Sequence, residues 1–204
     1  MFDSQKIADM YDQIGLNFSA TREKLSDSVV NLLPKLAPDA NVLDLGCGNG
    51  VLLSALPDEI SYLGIDISQV LLDEAHKKHS DRKFLLADIL DPTIWNKLGR
   101  YDFIAALAVF HHLPTPSDHL KLMQNIKQHL KPSGSALISV WRLNEPKFDK
   151  YRTDANHFSI PFHDGPSRDF YAFSENELTK LAHQSGFDQI DTRTLNHNLF
   201  LTLS

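Results

Sequence analysis

Apolar residues recur along this chain with two different periods, and the points where the period changes divide it into helices and strands. Helical spacing sets Ile7, Met10, Tyr11 and Ile14 on one face over residues 5–18, and Leu25, Val29, Leu32, Leu33 and Leu36 on one face over residues 24–36. Pro34 falls late in the second stretch and Pro38 closes it. Short apolar runs then alternate with helical segments. Strands are predicted at residues 41–45, 62–65, 83–86, 101–109 and 136–141, helices at 50–56, 70–79 and 117–130, and a helix or loop at 93–98. Lys131-Pro132-Ser133-Gly134 reads as a turn. Such alternation predicts an α/β fold with a parallel sheet and right-handed crossovers.

The rhythm breaks over residues 142–172, which are polar, hold Pro146, Pro161 and Pro166, and mix aromatic with basic residues without a helical or strand period. A connection this long predicts an ordered insertion or lid that reads the substrate. Ser174-Glu175-Asn176-Glu177 has the form of a capping box opening a helix to residue 184, which Gly186 ends. Residues 189–195 and 199–203 form a predicted hairpin turning at Asn196-His197-Asn198. The expectation is one domain over residues 1–204, with a helical segment at 1–38 and the insertion at 142–172.

Composition narrows the class. At 204 residues, 42% hydrophobic and 23% charged, the chain is long enough to bury one α/β core. A formal net charge of -6 argues against wholesale non-specific nucleic-acid binding, while leaving local basic groups at Arg22 and Lys24, at Lys77, Lys78, Arg82 and Lys83, and at Arg142, Lys147, Lys150 and Arg152. Cys47 is the only cysteine, which excludes an intramolecular disulfide and a cysteine-cluster zinc site and points to a cytoplasmic location. There is no long apolar run and no basic-then-apolar start, so no membrane span is expected.

The most informative segment is Val42-Leu43-Asp44-Leu45-Gly46-Cys47-Gly48-Asn49-Gly50, a buried strand running into a glycine loop. Its glycine spacing puts Val51 where a dinucleotide fingerprint needs its third glycine, and no Gly-Lys-Ser/Thr follows, so neither the NAD nor the P-loop pattern is met. The loop resembles motif I of the class I methyltransferases. That resemblance implies a Rossmann-like class I methyltransferase fold, a seven-stranded, mostly parallel sheet of order 3-2-1-4-5-7-6 with an antiparallel C-terminal hairpin and helices on both faces. It also implies S-adenosylmethionine as cofactor.

Such a cofactor calls for acceptors for a ribose diol and for amines, and acids stand at three successive strand ends. Asp66 is placed to accept the ribose hydroxyls, or else to cap a helix. Asp88 is placed to accept the adenine amine, or else to cap its loop, with Ile67 and Ile89 as apolar plates around the ring. Asp44 lies inside the first strand, where a carboxylate needs backbone donors or a cofactor ammonium. Gly46 and Gly48 let the backbone approach the cofactor, and Ala108 or Val109 offers its backbone to the methionine moiety.

The fourth strand runs through Val109-Phe110-His111-His112. Neighbours on an extended strand face opposite ways, so one histidine is expected in the site and the other in the structure. The spacing matches no zinc pattern and methyl transfer needs no metal, so none is expected. The Asp/Asn-Pro-Pro-Tyr/Phe motif of amino-methyltransferases is absent. An activated methyl asks chiefly for in-line positioning, and a carboxylate nucleophile asks for a cationic clamp rather than a base. Arg22, Arg142 and Arg168 are candidates for the clamp, with His112 as orienting group or as base for other nucleophiles.

Tyr11-Asp12-Gln13-Ile14, Phe18-Ser19-Ala20-Thr21-Arg22, Val109-Phe110-His111-His112, Ser139-Val140-Trp141, Arg168 with Phe170 and Phe173 ahead of Glu177-Leu178, and Asn198 together resemble the tRNA wobble-uridine carboxyl methyltransferase family. The resemblance implies esterification of a carboxymethyl group on uridine 34. It implies Arg22 as a carboxylate contact, and His112, Trp141, Arg168 and Asn198 on the same side. It also implies, for eukaryotic members, a small zinc-binding activator along the sheet edge. The chain departs from the family pattern at Asp169-Phe170-Tyr171 and in its short insertion. A small-molecule carboxylic acid stands as the alternative acceptor, and a non-catalytic cofactor-binding module as the alternative to an enzyme.

Overall fold

The computed structural model describes residues 4–163 and 165–204. Its sheet follows from strands buried on both faces. Strand β1 (Asn41–Leu45) sends Val42 to one side and Leu43 and Leu45 to the other, all fully buried. It lies between β2 (Ser61–Asp66) and β4 (Tyr101–Leu107), parallel to both. The edge strand β3 (Lys83–Leu86) pairs with β2, and β5 (Leu130–Trp141) pairs with β4, again parallel. The antiparallel pair β8 (Ile190–Leu195) and β9 (Asn198–Leu203) adds β9 beside β5, giving the order β3-β2-β1-β4-β5-β9-β8. Numbering the seven strands of this sheet alone turns that into 3-2-1-4-5-7-6, the expected order.

Helices α1 (Ser4–Ala20), α2 (Asp27–Val30), α3 (Gln69–Lys78), α4 (Pro92–Trp95), α5 (Pro116–His129) and α6 (Glu175–Gln184) complete the frame. Residues of α4, α5 and α6, among them Trp95, Leu122, Ile126 and Leu178, share one core with Leu43, Ile104 and Ile138. Ser174 and Glu177 form the expected capping box at the start of α6. No helix among the described residues is long and apolar enough to cross a membrane.

Four expected elements differ in form or in extent. The amphipathic stretch 24–36 is a single turn, α2, in a loop, and its apolar residues Leu25, Val29, Leu32, Leu33 and Leu36 still pack on the core around Val42 and Phe103. With Pro34 and Pro38 in place, burial of this side chain set is met without helix. The helix after the glycine loop is a 3₁₀ turn, Val51–Ala55, entered from Gly50 at φ 75°. The helix or loop at 93–98 is the single turn α4, which Asp91 caps by accepting from the Thr93 N–H. The turn at Lys131–Gly134 is an irregularity within β5, where pairing slips between Tyr101 and Phe103 of β4.

The insertion is the largest departure. Residues 142–172 contain an antiparallel hairpin, β6 (His157–Pro161) with β7 (Ser167–Tyr171), after a 3₁₀ segment at Pro146–Tyr151. Phe158, Ile160 and Phe170 bury one face over Leu143, with Trp141, Phe148 and Tyr151 packed alongside. Arg168 sits at an inward position of β7, which breaks the apolar alternation that marks a strand.

Candidate active site

At the carboxyl ends of β1 and β4, where strand order reverses, a cavity of about 380 Å³ opens. Arg22, Gly46, Gly48, Asp66, Ile67, Asp88, Ile89, Ala108, His112, Trp141, Arg168 and Asn198 all border it, so twelve side chains or backbone segments expected from sequence meet in one place. Asp44 is not on that wall. It lies behind the loop, 3% exposed, with the Tyr62 hydroxyl donating to it at 2.8 Å, and burial pushes its carboxyl up to about 7. Arg142 is also absent from the wall and pairs loosely with Glu145 at 3.9 Å.

The glycine loop is held by backbone and carboxylate. The N–H groups of Gly46 and Cys47 donate to the Ile65 carbonyl, and that of Gly48 donates to Asp66 Oδ2 at 2.7 Å. Asp66 Oδ1 accepts from the Ser68 N–H at 2.9 Å, and burial raises this carboxyl against those bonds. A third bond comes from the Ile67 N–H, so three of the four lone pairs are used and one is left for a ligand. A Cβ on Gly46, at φ 65°, would stand 2.5 Å from Val109 Cγ2, whereas one on Gly48, at φ 54°, would meet nothing within 4 Å. Gly48 therefore faces open space. Asp88 Oδ1 accepts from the Leu90 N–H at 2.8 Å, which makes it a loop cap that also borders the cavity.

Both histidines border the cavity, contrary to the expectation that they alternate. Strand β4 ends at Leu107, and Ala108 turns the chain at φ 60°, its N–H shared between the carbonyl and hydroxyl of Ser139. Phe110–His112 then form a 3₁₀ turn, in which neighbours lie about 120° apart rather than on opposite faces. His112 Nε2 meets the Tyr11 hydroxyl at 2.7 Å, and its ring donates to the Asp169 carbonyl. That pairing makes Nε2 the acceptor of the Tyr11 proton. Burial, aided by Arg168, lowers His112 to about 3, and burial raises Tyr11 to about 12, so both are neutral near pH 7.

Arg168 is 6% exposed, and its Nε has no hydrogen-bond partner. Its guanidinium lies 5.1 Å from the rings of Trp141 and Phe162 and 5.2 Å from that of Phe170, and it donates towards the Tyr11 oxygen. Trp141 and Phe170 are stacked at 5.1 Å. Arg22 rests on the Phe18 ring at 3.6 Å and donates to Thr21 Oγ1. A buried cation that borders a cavity and pairs with no carboxylate among the described residues is suited to an anion.

Sequence reading passed over several residues. Asn49 ties the glycine loop to the end of α1, its amide donating to Ser19 Oγ and to the Arg22 carbonyl, each at 2.9 Å. Asp12 accepts from Ser68 Oγ and the Val70 N–H, anchoring α1 on the start of α3. Tyr11 reads as part of the apolar face of the first helix, and Phe170 equally as core or lid packing or as a base-stacking ring, so neither is assigned a catalytic or binding role. Their signal is aromatic spacing, which reads equally as core.

A family model described as a methyltransferase domain matches residues 18–192. The tRNA (carboxymethyluridine(34)-5-O)-methyltransferase ALKBH8 of Mus musculus is 30% identical over 143 residues, 70% of this chain and 21% of that protein. The tRNA (carboxymethyluridine(34)-5-O)-methyltransferase of Saccharomyces cerevisiae is 31% identical over 144 residues, 70% of this chain and 50% of that protein. The chain thus spans between about a fifth and half of the length of these two relatives. Among solved structures, the magnesium protoporphyrin IX methyltransferase (ChlM) from Synechocystis PCC 6803 with bound SAH superposes with a TM-score of 0.69 at 17% identity, over 98% of each chain. That likeness is one of fold.

Proposed function

The chain belongs to the methyltransferase-domain family, and from that premise we propose that it methylates a carboxylate with S-adenosylmethionine, forming the methyl ester of a carboxymethyl group on tRNA wobble uridine. The observation that carries this reading is Arg168, a buried guanidinium with no carboxylate partner among the described residues, on the wall of the cavity that the glycine loop borders. An anionic acceptor gives that buried cation a counter-charge inside the cavity.

The cavity fits the cofactor. Gly48 leaves its wall bare, Asp66 and Asp88 hold unspent lone pairs for a hydroxyl and an amine, and Ile67 and Ile89 offer apolar surface to a ring. When bound, S-adenosylmethionine supplies a methyl activated by its sulfonium: a carboxylate oxygen gains that methyl, the C–S pair stays on a neutral thioether, and no proton moves. His112 agrees with such chemistry, because both ring nitrogens are engaged and a group titrating near 3 is a poor base at neutral pH. It orients Tyr11 instead. Arg22 serves as a second cation for the carboxylate, while Trp141 and Asn198, paired across β5 and β9, frame the acceptor.

The names of the relatives support tRNA as acceptor, and the net charge of -6 favours a small carboxylic acid as the second reading. An activator subunit is supported by the edge strand β3, where Leu85 and Leu86 are 39% and 50% exposed. The test is transfer of labelled methyl from the cofactor to total tRNA and to a metabolite extract, followed by mild base. Label in tRNA that base releases is expected. Base-resistant label in tRNA excludes an ester, and label confined to small molecules selects the second reading. Calorimetric cofactor binding with no transfer would leave only a binding module.

A further inference from the structure

His111 lies in the same wall as Arg168 and has no part in the chemistry above. It is 1% exposed and borders the cavity. Its Nδ1 accepts the Trp141 backbone N–H at 3.1 Å. Burial first, then His112 and Arg168, hold its pKa well below the usual histidine range, so the ring is neutral. A neutral imidazole that accepts at Nδ1 must carry its proton on Nε2. Among the described residues that N–H meets no hydrogen-bond partner, yet it is not one of the sealed-off polar atoms. In a residue with almost no outer surface, the opening available to it is the cavity. His111 and Arg168 also flank the same two rings: His111 lies 6.0 Å from Trp141 and 5.2 Å from Phe170.

We propose that His111, through a fixed Nε2–H, donates to the methyl acceptor and holds the carboxylate oxygen that is not methylated. The inference rests on the carboxylate reading above. It gives the carboxylate a neutral donor beside a cation, so that one oxygen is held while the other is left to take the methyl. A neutral donor also costs the anion less nucleophilicity than a further cation beside Arg168 and Arg22 would.

Two substitutions separate this role from a purely structural one. His111→Asn retains an acceptor near Nδ1 for the Trp141 N–H and removes the donor. His111→Gln carries an amide N–H near Nε2 and gives up the acceptor. The proteins are compared by kcat/KM on tRNA bearing carboxymethyluridine, with cofactor affinity by calorimetry and Tm as controls. Expected is a kcat/KM at least about tenfold higher for the glutamine than for the asparagine variant, with the asparagine Tm and cofactor affinity close to wild type. A ratio below about tenfold overturns the role, since a structural histidine would favour asparagine. Wild-type protein that puts no base-labile methyl on this tRNA overturns the acceptor reading and this inference together, whereas wild-type transfer with an unfavourable ratio removes His111 alone.

Discussion

The two halves of the cavity are built by different means. Around the glycine loop, contacts come from backbone N–H groups and carboxylates at the ends of adjacent strands: Gly48 on Asp66, Ser68 on Asp66, Leu90 on Asp88. On the acceptor side, Tyr11, His112, Arg168 and Trp141 come from α1, the turn after β4, the inserted hairpin and the end of β5, and are joined by rings and side-chain hydrogen bonds. The first half is positioned by the sheet itself. The second is assembled from four distant segments, so it can be altered residue by residue while the cofactor half stays intact. Substitutions should therefore separate cofactor affinity from turnover according to the half they strike.

The largest effect is expected at Gly46. Alanine there meets Val109 Cγ2 at 2.5 Å and must hold φ 65°, which together cost about 3 kcal/mol or more. Gly46→Ala should unfold readily and bind cofactor poorly, measured by Tm and calorimetry. Gly48→Ala bears only the left-handed penalty of about 1–2 kcal/mol, because its methyl meets nothing. Its loss should appear in cofactor affinity more than in Tm. Equal Tm losses in the two variants would mean that the loop is not braced by Val109.

Across the cavity, Arg168→Met should spare cofactor affinity and lower kcat/KM about 100-fold, the worth of one or two charge-assisted hydrogen bonds. Arg168→Lys keeps the charge and loses the fork, so it should recover only part of the rate. A methionine variant whose cofactor affinity fell in step with its turnover would dissolve the distinction between the halves.

The contrast also explains what could be read from sequence. Gly46, Gly48, Asp66 and Asp88 are punctuation at strand ends, and both the apolar strand and the residue that stops it are local signals. The acceptor half has no such marks. Ala108 at φ 60° is not a residue that announces a left-handed turn, so nothing signalled that both histidines would border the cavity. The inserted hairpin hid because Arg168 occupies an inward position, its cost offset by rings that include Trp141 at the end of β5, outside the hairpin. Apolar spacing over residues 24–36 identified the buried side chains but not their conformation, since a proline-bounded loop buries the same set. Asn49 reads as loop filler until its amide is seen to bond Ser19 and the Arg22 carbonyl.

Asp44 gives the finest test of where the cofactor half ends. It shares a strand with the loop, yet its carboxyl is off the cavity wall and accepts a hydrogen bond from the Tyr62 hydroxyl. Burial raises its pKa from the usual 3.8 to about 7, so the folded protein holds a proton there that the unfolded chain releases. Its contribution to stability is fully present below pH 3.8 and is lost as pH rises through about 7. Asp44→Asn keeps an oxygen for Tyr62 and removes the charge. The Tm difference between variant and wild type should then be near zero at low pH and favour the variant above pH 7, the depressed histidines cancelling because both proteins carry them. Cofactor affinity should change by less than about tenfold, because no direct contact is lost. A loss as deep as that of Gly48→Ala would instead put the Asp44 carboxylate within reach of the cofactor and extend the cofactor half back into the strand.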